Sequence, residues 1–201
     1  MHRRQTKRER PTLKTAHDYF KTGGFLTSPK LHSLFGEARE AELKKVRDGL
    51  EEIVRTQFPR TQNLEYAILK SHLIVEYALV QYIRCFAATF VDVKELRFTF
   101  YQKLEIAYLM GFGANDPTLL PTVETLNKIR NKVAHTFTLD RAAVDELLRI
   151  NHEDYDTFKP KDDRHRVQCL RWLCVFICGL TAGEIMAAYA IATMDGAVSE
   201  K

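Results

Sequence analysis

Leu126–Phe137 reads LNKIRNKVAHTF, and steps of about 100° per residue around a helix sort its side chains into an apolar arc and a polar border. Val123, Leu126, Ile129, Val133 and Phe137 share the arc. Arg130 falls inside it, and a guanidinium that cannot shed its proton must there reach a carboxylate, carbonyls, a cleft or a bound anion. Along the border, Asn127, Asn131 and His135 recur at four-residue spacing as a polar ridge. A helix from about Thr118 to His135 is therefore predicted. Arg130 and His135 stand about 140° apart around it, so one chain points them divergently. A twofold-related copy of the same face would bring two arginines and two histidines around one cleft.

Outward from this helix the periodicity stays helical and strand signals are scarce. Upstream, a helix is predicted at about Leu31–Phe58, closed by Pro59 in FPRTQN. A second is expected after a Thr61 cap, with Leu64, Ile68, Ser71, Val75, Leu79, Tyr82 and Phe86 on one face. A third is expected at about Val93–Met110, stopped by GFGANDP. Downstream come a short helix at Arg141–Ile150, the loop NHEDYDTFKPKDD, and a long final helix at about Arg164–Met194. The reading is all-α, with helices of bundle length.

The last helix has a rival reading as a membrane span, because Trp172–Met194 carries Glu184 as its one charged residue. Its richness in Ala, Gly, Thr and Cys, the mid-helix carboxylate, and Arg164, Arg166 and Arg171 on the same helix favour a buried bundle helix. Gly179 and Gly183, four apart, would let another helix approach closely in a core or at a dimer seam.

The 201 residues suffice for one domain with a real core, and 45% hydrophobic with 28% charged residues excludes collagen-like, low-complexity and mostly disordered classes. The net charge is +4, unevenly spread. Residues 1–14 hold Arg3, Arg4, Lys7, Arg8, Arg10 and Lys14 against Glu9 alone, so this segment carries +5 and the rest −1. Such an arm can bind phosphate backbones, or simply be solvated; it has no interleaved aromatics for base stacking. The expected organisation is a basic, flexible arm over 1–28, one helical domain over 29–195, and a tail over 196–201. Cys85, Cys169, Cys174 and Cys178 sit in apolar helical sequence with no signal peptide ahead of them, which points to reduced thiols and a cytoplasmic setting.

Two readings of Leu126–Phe137 stay open on geometry. In one, the helix carries an anion site beside a group that titrates near neutrality, as metal-free phosphodiester cleavage requires: His135 moves the proton and Arg130 neutralises charge on the phosphorane. In the other, Arg130 pairs with a buried acid such as Glu76 or Glu105, and His135 with Asn131 caps the helix end. Elsewhere, Cys174 and Cys178 complete no zinc spacing with Cys85 or Cys169 and read as small core residues. His72 with Glu76 reads as a buried or boundary pair, and Lys103 with Glu105 as cleft lining or surface charge. Tyr155 lies in an acidic loop.

Arg130-Asn131-Lys132-Val133-Ala134-His135 resembles the R-N-x-x-x-H hallmark of the HEPN superfamily. FTFYQKLEIAYLMGFGAND before it resembles that family's pre-motif helix and Gly-marked turn, and TLDRAAVDELL after it fits as well. The similarity runs over about residues 60–193 and extends to 31–58. The run is also similar to that of mannitol-repressor-type regulators. The resemblance implies a HEPN-like helical bundle with a long C-terminal helix that dimerises through the motif helices. It further implies a metal-independent endoribonuclease of a toxin-antitoxin or other defence system, with RNA as substrate and a cognate antitoxin or regulator as protein partner. Arg130 and His135 would be catalytic, with Asn131 orienting the imidazole or the phosphate. No cofactor, metal or membrane is expected. The same resemblance implies an alternative, since many HEPN members are inactive: a regulatory or assembly module that binds a protein or nucleic acid.

Overall fold

The computed structural model describes residues 37–87, 97–136, 138–150 and 157–199. Among them lie six helices and no strand: α1 (Glu37–Gln57), α2 (Leu64–Phe86), α3 (Phe100–Leu109), α4 (Leu119–Thr136), α5 (Arg141–Arg149) and α6 (Asp163–Ser199). The all-α expectation holds. Residues 1–36, with the basic arm, lie outside the described residues, as do Phe137 and Tyr155.

α2 is the hub. It packs against α1, α3, α4 and α6, while α5 bridges α4 and α6. Its predicted face is buried from Leu64 through Tyr82, with Phe86 packed at the margin. Burying a Leu or Ile side chain contributes roughly 2 kcal/mol, so Ile68, Leu79, Leu126, Leu170 and Ile177, all fully enclosed, dominate the cohesion. Gly49 leaves room for the Tyr77 hydroxyl of α2, which would stand 2.9 Å from a Cβ there.

Local chemistry moves several predicted boundaries. α2 is capped by Asn63, whose Oδ1 accepts the Tyr66 N–H at 2.8 Å; Thr61 instead accepts the Asn63 N–H at 3.0 Å. The third helix starts at Phe100 after a non-helical 97–99, and the expected start at Val93 lies outside the described residues. Thr99 and Gln102 close a capping box there, and Arg97 just before it has φ 41°, outside the helical region. α3 stops where Gly111 and Gly113 take φ values of 102° and 75°, a conformation that favours glycine. The next helix is entered through Asp116, whose Oδ1 accepts from both the backbone N–H and the hydroxyl of Thr118. α6 runs past Met194 to Ser199, so residues 196–199 of the expected tail are helical.

Along α6, Val167, Leu170, Leu173, Cys174, Ile177, Cys178, Thr181, Ala182 and Ile185 are buried. By length and composition Asp163–Ala190 could cross a bilayer, yet α1, α2 and α5 pack along the helix. Its other face exposes Trp172, Val175 and Phe176.

Candidate functional site

On α4, Val123, Leu126, Ile129 and Val133 are buried as the arc requires, and α2 and α5 receive that face. Arg130 is half-buried at its edge. The guanidinium Nη1 donates to Asn131 Oδ1 at 3.0 Å. The pairing with Glu76 or Glu105 is not made: Glu76 instead accepts from Lys103 Nζ at 2.6 Å, and Glu105 is exposed. Among the described residues no carboxylate lies within ion-pair distance of Arg130. A semi-buried guanidinium that meets no carboxylate among the described residues has donors it could offer to an anion.

Behind Arg130 the polar ridge turns inward. Asn131 Nδ2 donates to Asn127 Oδ1 at 3.4 Å, and His72 Nε2 on α2 approaches the same oxygen at 3.1 Å. His72 is 4% exposed and stacks on Phe100 of α3 with ring centroids 4.1 Å apart. Its Nδ1 is buried with no hydrogen-bond partner among the described residues. Burial holds the imidazole below its ordinary pKa; the bond to Asn127 and the charge of Glu76 oppose that, and Arg130 and Lys103 add to it. The four residues His72, Asn127, Asn131 and Arg130 thus form one connected chain across two helices.

His135 lies apart from that chain. It is exposed in the last turn of α4 and makes no side-chain hydrogen bond among the described residues. The Asn131 amide bonds Arg130 through its oxygen and Asn127 through its nitrogen, and no bond between it and the His135 imidazole is present among the described residues. The helix end is held by other groups. Thr136 Oγ1 donates to Lys132 O at 2.8 Å, and Lys132 pairs with Asp140, the N-cap of α5, at 3.1 Å. Within one chain, therefore, Arg130 and Asn131 are brought together and His135 is not.

Sequence reasoning singled out His72 but missed its bond to the ridge. The available signal was a histidine inside the run of buried positions Ile68, Ser71, Val75 and Leu79, on the side of α2 that a neighbour must cover. The cysteines behave as core residues: burial pushes the thiols of Cys174 and Cys178 up to about 12. No cluster of three metal-ligating side chains exists among the described residues. No family model, curated protein or solved structure matches the chain.

Proposed function

We propose that this chain is a HEPN-like, metal-independent endoribonuclease of the defence or toxin-antitoxin kind, acting in the cytoplasm as a homodimer whose α4 faces form the cleavage site. The supporting observation is Arg130, held in place by Asn131 and lacking a carboxylate partner among the described residues. It stands on the same helix as an exposed imidazole five residues on. In the dimer, His135 of one protomer takes the proton from a ribose 2′-hydroxyl as that oxygen attacks phosphorus. The equivalent histidine of its partner protonates the departing 5′-oxygen, leaving a cyclic phosphate and a 5′-hydroxyl end. Arg130 neutralises the charge that builds on the phosphorane.

The test is incubation of the purified full chain with RNA in EDTA. Fragments with cyclic-phosphate and 5′-hydroxyl ends are expected, together with growth inhibition on expression that His135→Ala relieves. Intact RNA from a well-folded dimer overturns the reading.

One observation favours a second function: His135 has no partner among the described residues that would fix its tautomer, as a general base ordinarily has. On that reading the chain is a non-catalytic regulatory or assembly module, similar to mannitol-repressor-type regulators, that binds a protein or nucleic acid and yields no product.

A further inference from the structure

Arginine has only donors, and this fixes the polarity of every group behind Arg130. The atom of Asn131 that meets Nη1 must be its oxygen, so the Asn131 amide nitrogen faces Asn127. What it meets there must be the Asn127 oxygen. That oxygen is also the atom His72 Nε2 approaches, so Nε2 must carry the imidazole proton. Nδ1 is then left as a buried lone pair, in agreement with its lack of a partner among the described residues. A single neutral tautomer of His72 satisfies the whole chain.

We propose that His72 is the positioning residue of Arg130: its neutral imidazole, acting through Asn127 and Asn131, holds the guanidinium in one orientation at the edge of α4. His72 is suited to this because its own ring is fixed by stacking on Phe100 and by near-complete burial. The groups facing it are Glu76 on α2, Lys103 on α3 and Arg130 on α4. Glu76 is already in contact with Lys103, so a proton on Nδ1 would add an unshared cation between Lys103 and Arg130, as well as a buried donor with no acceptor. These costs favour the neutral ring, although a proton on Nδ1 would leave the Nε2–H bond to Asn127 in place. The consequence for cleavage rests on the ribonuclease reading; the positioning itself does not.

The experiment uses the full chain with two readouts, side-chain NMR and RNA cleavage. In the parent at about pH 7.5, imidazole nitrogen spectra should show His72 as the Nε2–H tautomer, and the Arg130 guanidinium should show restrained rotation. His72→Gln supplies a donor near the same place without titrating. It should keep Arg130 restrained and cleavage within about threefold of the parent. His72→Phe keeps a ring against Phe100 and removes the donor. It should free Arg130 and lower kcat by about tenfold or more, with KM changed by less than about threefold. If His72→Phe does not fold, Asn127→Ala interrupts the same chain and should reproduce its effects. An Nδ1–H tautomer in the parent overturns the proposal, as does an Arg130 signal unmoved in the folded variants. If the parent cleaves no RNA, the ribonuclease reading fails while the Arg130 signals still decide the positioning.

Discussion

The backbone N–H of Gly113 donates to the Glu184 carboxylate at 3.1 Å, tying the turn between α3 and α4 to the middle of α6. This is the role of the one acid in the apolar stretch Trp172–Met194. Burial raises the Glu184 carboxyl from 4.5 to about 7, against the lowering effect of the Gly113 bond and with a further upward push from Asp116. Between these two values the folded chain holds a proton that the unfolded chain has released, so stability rises as pH falls from about 7 towards 4.5. Above about 7 the buried ionised carboxylate is a standing cost. Glu184→Gln retains an acceptor for Gly113 and removes that charge. It should stabilise the fold by about 1–2 kcal/mol at about pH 8, less than the full shift implies because the group is partly solvated, and the gain should vanish towards pH 4.5. Urea unfolding at several pH values measures this; a gain independent of pH would contradict the assignment.

Arg166, on the first turns of α6, forks onto Asp145 of α5 at 2.7 and 2.8 Å and reaches Asp163 at 3.0 Å; Asp163 in turn accepts from Arg141 at 2.7 Å. The side chain is only 14% exposed, so removing it strands Asp145 in a poorly solvated place. Arg166→Ala should cost about 2 kcal/mol, and Arg166→Lys should recover less than half because an ammonium cannot hold both oxygens. Denaturant midpoints for both variants check this. Equal stability of parent and Arg166→Ala would mean the network is solvent-screened.

Among the described residues, a Cβ at Gly179 or Gly183 would meet nothing within 4 Å. Packing among the described helices therefore does not require them. Gly179→Ala and Gly183→Ala should each stabilise α6 by roughly 0.5–1 kcal/mol through helix propensity. Thermal unfolding together with sedimentation checks this: a lower midpoint accompanied by loss of dimer would place this face in the seam.

The helices were legible because each carries a continuous apolar face, and α2 and α4 bury the residues that the 3.6-residue period selects. Their ends were less legible where caps compete. Thr61 and Asn63 both offer an oxygen, and only the placement of Tyr66 decides between them. The Arg130–Asn131 part of the site could be seen as a motif, being local on one helix. The link through Asn127 to His72 spans 55 residues and depends on how α2 and α4 cross, which no local pattern encodes. The freedom of Arg130 from Glu76 was hidden for the same reason, because Lys103 arrives from a third helix.

Arg130 and His135 should separate stability from activity. With no carboxylate on Arg130 among the described residues, Arg130→Ala strands no buried charge and loses chiefly one bond to a neutral amide. Its stability should stay within about 1 kcal/mol of the parent, whereas a buried ion-pair partner would have cost several times that. His135 is exposed in the final turn of α4, so His135→Ala should also cost about 1 kcal/mol or less. Both variants should nevertheless abolish cleavage, one by removing the phosphorane's counter-charge and the other by removing the proton carrier. His135→Asn sharpens the test, because it keeps a hydrogen-bonding side chain that does not titrate. If acid-base chemistry is the role of His135, His135→Asn is as inactive as His135→Ala while both melt close to the parent. Near-full cleavage by His135→Asn would remove the proposed mechanism. Core-like destabilisation of Arg130→Ala, with no cleavage by the parent, would assign the motif to structure and favour the regulatory reading.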